Sequence, residues 1–428
     1  IVSEEPVEKW GATKLTLSNG VVVIVKQTDF KADEILFDAQ ALGGTSVLPD
    51  SYANSLIFFP VASGSHGLGD YTSKDLQKYL QGKQVSVDFG FDSYVRGISG
   101  STTPKDLPTL MELLYMGFTN FTFTPEEFLA VQKQYEGIIH NQETNPEYVF
   151  GRDLSKALYE NPRRQAMSVE AINGATLEQT LDIARKMTAN AADYTFYFVG
   201  NIDMATFRPL VEQYIATLPA DKATAVTAPH YLASLGIKPG DKEIGFKTPM
   251  QTPQTFVAVL DYGNLDYTPE NRAAASVAGQ ILTNRLLGTV REDMGAVYSI
   301  WASGNMQRVA DGNNTVIQSV FPMKPEMKKE VLDFIAKEFK NMESNITDEE
   351  LAKVVEFSIK NVQEAREKNN AWLNGMAGEA LNGVDTFNGA EEMYRAMKPA
   401  DIQNFMKALN AQGNYRVIYL EAEETPAE

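Results

Sequence analysis

The sequence predicts an α+β protein made of two homologous tandem domains, each a mixed or antiparallel sheet with helices packed on one face. Three observations carry this expectation. First, Thr124-Pro125-Glu126-Glu127-Phe128-Leu129 resembles Thr347-Asp348-Glu349-Glu350-Leu351-Ala352 at an offset of 347 − 124 = 223. Second, Asp193-Tyr194-Thr195-Phe196-Tyr197-Phe198 matches Asn414-Tyr415-Arg416-Val417-Ile418-Tyr419 at 415 − 194 = 221, and Leu36-Phe37-Asp38-Ala39 matches Val257-Ala258-Val259-Leu260 at nearly the same spacing. A period of about 220 residues is far longer than that of a solenoid and indicates duplicated domains. Third, strands and helices alternate within one copy but hairpins occur too, which points away from a purely parallel βαβ array.

The elements of the first copy follow in order. Residues 14–25 read as a hairpin with Asn19-Gly20 at the turn. Residues 35–41 read as a strand, 50–59 as a helix, and 73–81 as a second helix opened by Ser-x-x-Leu. Strands are expected over 85–91 and 94–99, helices over 107–119, 125–142 and 177–187, and a strand at Tyr194. Thr124 with Glu127 and Thr347 with Glu350 are capping boxes: a Thr N-cap with a Glu three residues on. Pro125 suits the first helical position. The stretch 218–241 lacks periodicity and is rich in Ala, Pro and Gly, so the expected division is a first domain at 1–220, a linker at 221–241 and a second domain at 242–428. The acidic end, 421–428, is expected to fray.

Charge and composition narrow the function. A net charge of −18 argues against nucleic acid, whose phosphates need clustered Lys and Arg, and against an anionic membrane surface. No apolar run is long enough to span a bilayer, so no membrane insertion is expected. The absence of Cys removes disulfides, thiol nucleophiles and thiolate metal sites. It fits a reducing compartment or an envelope protein, and a bacterial periplasm or envelope is favoured over the cytoplasm. The chain opens Ile1-Val2-Ser3 without an initiator Met or a basic, then apolar, leader, so a processed or truncated start is expected.

Catalytic groups are scarce. The three histidines are His66, His140 and His230. His140 and Glu143 have H-x-x-E spacing, but position 144 is Thr where an inverted zinc motif needs a second His. One His and one Glu fall short of the three protein ligands of a catalytic zinc, and an exposed helix-end His is the plainer reading. A metal bound there would instead mark an unrelated enzyme. His66 lies in the Gly-rich loop Ser63–Gly69, which lacks the preceding strand and Lys-Ser/Thr end of a phosphate cradle. His230 falls in the linker. The pairs Glu126/Glu127 and Glu349/Glu350 are first-turn charges that meet the helix dipole.

The most informative segment is 284–300. Helical periodicity (Ile281, Leu282, Leu286, Val290) runs to Arg291, Gly295 breaks it, and Val297-Tyr298-Ser299-Ile300-Trp301 alternates as a strand with Tyr298 at its start. The run Leu286-x-x-x-x-Arg291-Glu292-x-x-Gly295-x-x-Tyr298-Ser299 resembles the arginine–tyrosine motif in the C-terminal half of pitrilysin/insulinase-type (inverzincin) zinc metallopeptidases. Leu17-Ser18-Asn19-Gly20-Val21 resembles the opening of such halves, and tandem α+β units of this size fit them over nearly the whole chain.

The resemblance implies a zinc-binding helix near Tyr52–Pro60, yet that stretch holds no His and no Glu. Glu136, on a later helix, is where a last ligand would fall, without partners. The chain therefore resembles the non-catalytic half, inactive alone and without a metal or cofactor of its own. Zinc is expected on a complementary, H-x-x-E-H-bearing half or subunit. The implied roles are to complete a chamber for peptide substrates and to supply Arg291 and Tyr298 across a closed clam-shell. Tyr298 would donate to the developing oxyanion and Arg291 would hold a substrate carbonyl. The bland reading pairs Arg291 with a nearby carboxylate and half-buries Tyr298 in a strand. The other functional class is a degenerate scaffold or assembly subunit of the same family, which has no need of both residues.

Overall fold

The computed structural model describes residues 1–226, 235–308 and 314–423. In the first copy the elements are β1 (Ser3–Val7), β2 (Ala12–Thr16), β3 (Val22–Gln27), β4 (Ile35–Leu42), α1 (Ala53–Ala62), β5 (Gly67–Leu68), α2 (Ser73–Tyr79), β6 (Val85–Phe91), β7 (Val95–Thr102), α3 (Leu107–Thr119), β8 (Phe121–Thr122), α4 (Pro125–Gln142), α5 (Pro146–Leu158), α6 (Val169–Gly174), α7 (Leu177–Met187), β9 (Thr195–Gly200) and α8 (Met204–Leu210). The second copy has β10 (Lys242–Thr248), β11 (Thr255–Gly263), α9 (Pro269–Leu286), β12 (Ala302–Met306), β13 (Thr315–Met323), α10 (Lys328–Asn341), α11 (Asp348–Ala365), α12 (Asn369–Asn382), α13 (Ala390–Ala396), α14 (Pro399–Asn410) and β14 (Tyr415–Ala422).

The duplication is visible strand by strand. The first sheet runs β1-β2-β3-β9-β4-β7-β6 and the second β10-β14-β11-β13-β12. Dropping β1 and β2 leaves the same order and the same directions: β3 is parallel to β9 as β10 is to β14, and the remaining pairs are antiparallel. The two capping boxes form as the spacing predicts. Thr124 Oγ1 accepts from Glu127 N at 3.2 Å while the Glu127 carboxylate takes Thr124 N at 3.1 Å, and Thr347 and Glu350 repeat both bonds. The Asn19-Gly20 hairpin forms between β2 and β3, with Gly20 at φ +87°, a backbone state that favours glycine. The helix at 73 differs in its start: Thr72, not Ser73, is the cap, in a capping box with Asp75.

The chain condenses into two compact units that interleave along the sequence. One contains Ile1–Ile139, Met167–Ala233 and Glu364–Asp385; the other contains His140–Ala166, Ser234–Gln363 and Thr386–Glu428. Each copy thus contributes a helix to the unit built on the other's sheet: α5 belongs to the second unit and α12 to the first. The reason lies in the central strands. Val257 and Val259 face a core made with α9, α10 and α14, while Ala258, Leu260 and Tyr262 face Val149, Phe150, Ala157 and Leu158 of α5. A strand apolar on both faces needs cover on both, so helices lie on each face of the sheet and not on one alone. In the first unit the core between Phe37, Phe196, Phe198 and α3 covers one face. On α12, Trp372 meets Trp10 edge-on at 6.2 Å, and Glu379 accepts from Lys9 Nζ (2.6 Å) and Trp10 Nε1 (2.7 Å).

Candidate functional site

Arg291 and Tyr298 sit in the connection between α9 and β12, which is held from both ends. Helix α9 begins at Thr268, whose hydroxyl accepts from Asn271 N at 3.1 Å, with Pro269 in the first turn. Its buried face is lined by Ala274, Ala275, Ala278, Ile281 and Leu282. Small residues let the helix backbone approach β12: a Cβ on Gly279 would meet Gly304 N at 2.4 Å, and one on Gly304 would meet Ala275 O at 1.8 Å. Thr283 ties the two together, its Oγ1 accepting from Ala302 N at 2.8 Å and lying 2.9 Å from the carbonyls of Gly279 and Ala302, one of which takes its single proton.

Beyond Leu286 the helix widens into a π-helical turn, Leu287–Asp293, closed by Met294 N to Thr289 O at 2.9 Å. Such widenings recur at functional sites. Arg291 is exposed in this turn. Gly295 then takes φ +62°, which turns the chain out of the helix. Ala296, Val297 and Ile300 are buried, and Tyr298 stands between them 92% exposed. The expected strand at 297–301 is not formed; β12 begins at Ala302. The inward positions 296, 297 and 300 do not follow the period of two that a strand needs, so these residues anchor an irregular loop.

Neither the Arg291 nor the Tyr298 side chain makes a hydrogen bond or ion pair among the described residues. The nearby cation that is paired is Arg285, six residues earlier, held by Glu350 at 2.7 Å and Glu338 at 2.8 Å. Beside Tyr298 lies an open hollow of about 590 Å³, walled by Thr252, Pro253, Gln254, Met323, Lys324 and Glu326 among others. Nothing in the sequence pattern marked the 252–254 wall, because its residues are brought in by the β10–β11 turn.

The remaining candidates scatter. Among the described residues no three His, Asp or Glu groups are placed to hold a metal ion, so no residue set here fits a zinc. His140 is an exposed helix-end residue with Nδ1 3.4 Å from Glu143. His66 is packed between rings, stacked on Phe121 at 4.5 Å and edge-on to Phe89 at 5.4 Å; burial pushes its pKa down. Glu136 is half-buried and accepts from Asn173 at 3.3 Å. His230 lies outside the described residues, as does part of the expected linker.

Tandem α+β copies sharing one strand order, with the Arg291/Tyr298 connection in the second, define the class of fold. Residues 175–357 match the family model described as the peptidase M16 inactive domain. A zinc protease PQQL-like protein of Arabidopsis thaliana is 23% identical over 85% of this chain and 37% of its own length. A probable zinc protease PqqL of Haemophilus influenzae is 20% identical over 66% of this chain and 30% of its own length. The chain thus spans about a third of the length of the curated relatives it matches.

Among solved structures, the periplasmic protease PqqL from Escherichia coli superposes with a TM-score of 0.82 at 18% identity, over 99% of this chain and 46% of that one. A peptidase M16 inactive domain from Pseudomonas fluorescens gives 0.77 at 16% identity, over 97% of this chain and 99% of that one. The chain is thus similar, through residues 175–357 by the family model and over nearly its whole length by fold, to the inactive half of M16-type zinc peptidases.

Proposed function

We propose that this chain is the inactive half of a zinc metalloendopeptidase. It completes the peptide-binding chamber and lends Arg291 and Tyr298 to the zinc site of another half. The domains follow the repeat: 1–220, a linker at 221–241, and 242–428 carrying the Arg/Tyr pair. The observation that carries the reading is that both side chains are presented to solvent, without partners among the described residues, on a connection whose backbone is fixed at both ends.

Zinc, expected on a complementary H-x-x-E-H half, would supply polarisation of the scissile carbonyl and activation of water. Tyr298 O–H donates to the carbonyl oxygen as negative charge builds there, a contribution of about 3–4 kcal/mol for a preorganised donor. Arg291 donates to a backbone carbonyl of the peptide and fixes its register. Peptides are the substrates, and the chain alone is inactive. A bacterial periplasm is the proposed compartment: no described helix is long and apolar enough to cross a membrane, and the E. coli neighbour is a periplasmic protease.

The test is zinc content and peptide hydrolysis of this chain alone, then after mixing with the H-x-x-E-H half. The reading expects neither alone, and hydrolysis on mixing. Stoichiometric zinc or hydrolysis by the isolated chain contradicts it, and mixing without effect favours a scaffold role.

A further inference from the structure

Ten large hydrophobic side chains are conspicuously exposed among the described residues, and two of them, Tyr298 and Trp301, fall within four positions. Singly scattered exposed apolar residues are ordinary. These two differ because each follows a buried anchor, Val297 or Ile300, while its own ring is exposed. Trp301 is 52% exposed, yet Ile300 before it is 2% exposed. The Trp301 carbonyl accepts from Ser319 Oγ at 2.7 Å, and the next residue, Ala302, is bonded to Thr283. The indole is therefore presented by the fold, not left on a frayed segment. The other two tryptophans have structural roles: Trp10 is 4% exposed and packs edge-on against Trp372, whose Nε1 donates to Arg366 O at 2.8 Å.

We propose that Trp301 is a specificity-determining contact of the same site: it receives a large apolar or aromatic side chain of an extended peptide, about three residues from the one held at Tyr298. This rests on the peptide-binding reading above. Tyr298 and Trp301 are three positions apart in the chain, so their Cα atoms are no more than about 11 Å apart, the span of three residues of extended peptide. One substrate strand can touch both. A tryptophan with a fixed backbone loses only two side-chain torsions on binding, which is why aromatic anchors dominate peptide and protein recognition. The substrate class that follows is an unfolded peptide with an exposed apolar residue, not a uniformly polar or charged segment.

The experiment uses the full chain and two fluorescein-labelled decapeptides of Gly and Ser, one with a central Phe and one with Ser in its place. Binding is read by anisotropy, with the shift of tryptophan emission as a second signal. The parent chain is expected to bind the Phe peptide about fivefold more tightly, in the range that aromatic pairs contribute. Trp301→Ala should reduce that preference to less than twofold, and Trp301→Phe, which keeps a ring, should retain most of it. An unchanged preference in Trp301→Ala, or no preference in the parent, overturns the proposal. The broader reading fails separately: it is judged by Tyr298→Phe hydrolysis in the mixed enzyme, which does not depend on which side chain Trp301 selects.

Discussion

At the scale of single residues, Arg291 and Tyr298 contribute little to folding, since both are exposed and make no bond among the described residues. Arg291→Ala and Tyr298→Phe should each leave stability within about 0.5 kcal/mol of the parent by denaturant titration, as surface changes do. A large loss would mean that the pair is structural. Gly304 is the opposite case. A methyl there meets the Ala275 carbonyl, so Gly304→Ala should force β12 away from α9 and cost about 1–3 kcal/mol, with the 287–301 connection becoming more susceptible to protease.

Asp261 carries the pH prediction. It is 2% exposed on β11, its Oδ1 has no hydrogen-bond partner among the described residues, and burial, then the like charge of Asp241, push its pKa up from 3.8 to about 7. Between those two values the folded chain holds one more proton than the unfolded. Stability therefore falls as pH rises through that window. Asp261→Asn should flatten the fall, raising the melting temperature more at pH 8 than at pH 4. Equal shifts at both would assign the carboxyl no such role.

At the scale of elements, the exchanged helices separate chain position from structural membership. Phe150 of α5 lies in the first copy by sequence but packs on Phe256 at 5.8 Å and belongs to the second unit's core. Phe150→Ala should destabilise by about 3–5 kcal/mol, and hydrogen exchange should report the loss in β11 and β14 rather than in β4 and β9. Loss of protection in the first sheet instead would refute the assignment of α5.

These helices also mark what the sequence did not reveal. Capping boxes, the Asn-Gly hairpin and the strand landmarks are local signals and were legible. Helix α5 had one as well, since Asn145 accepts from Glu147 N ahead of Pro146, but its destination depends on contacts distant in sequence. Helix α12 has no side-chain cap hydrogen bond and is rich in Asn and Gly, poor helix formers. Burial of Leu373, Met376 and Ala377 and the bonds to Glu379 hold it instead. The alternation at 297–301 suggested a strand because the period of two was there in composition, while the buried positions that fix the loop are set by tertiary packing.

At the scale of the whole molecule, duplication explains why the two sheets share one strand order, and divergence explains why the copies differ around the candidate site. In the first copy α1 is short and carries no His or Glu at Tyr52–Pro60. In the second, α9 is long and runs into a π-helical turn that carries Arg291, and the loop beyond it presents Tyr298. On the reading proposed above, the chain holds substrate-contacting groups without a metal-binding set among its described residues, and activity is a property of the pair it would form with a catalytic half.

The most direct measurement is the turnover of peptide by this chain mixed with the H-x-x-E-H half, comparing parent with Tyr298→Phe at saturating peptide. The account predicts that kcat falls by about 10²–10³-fold while the two halves still associate, because the lost hydroxyl acts on charge that appears in the transition state. An unchanged kcat in the Tyr298→Phe pair would contradict it.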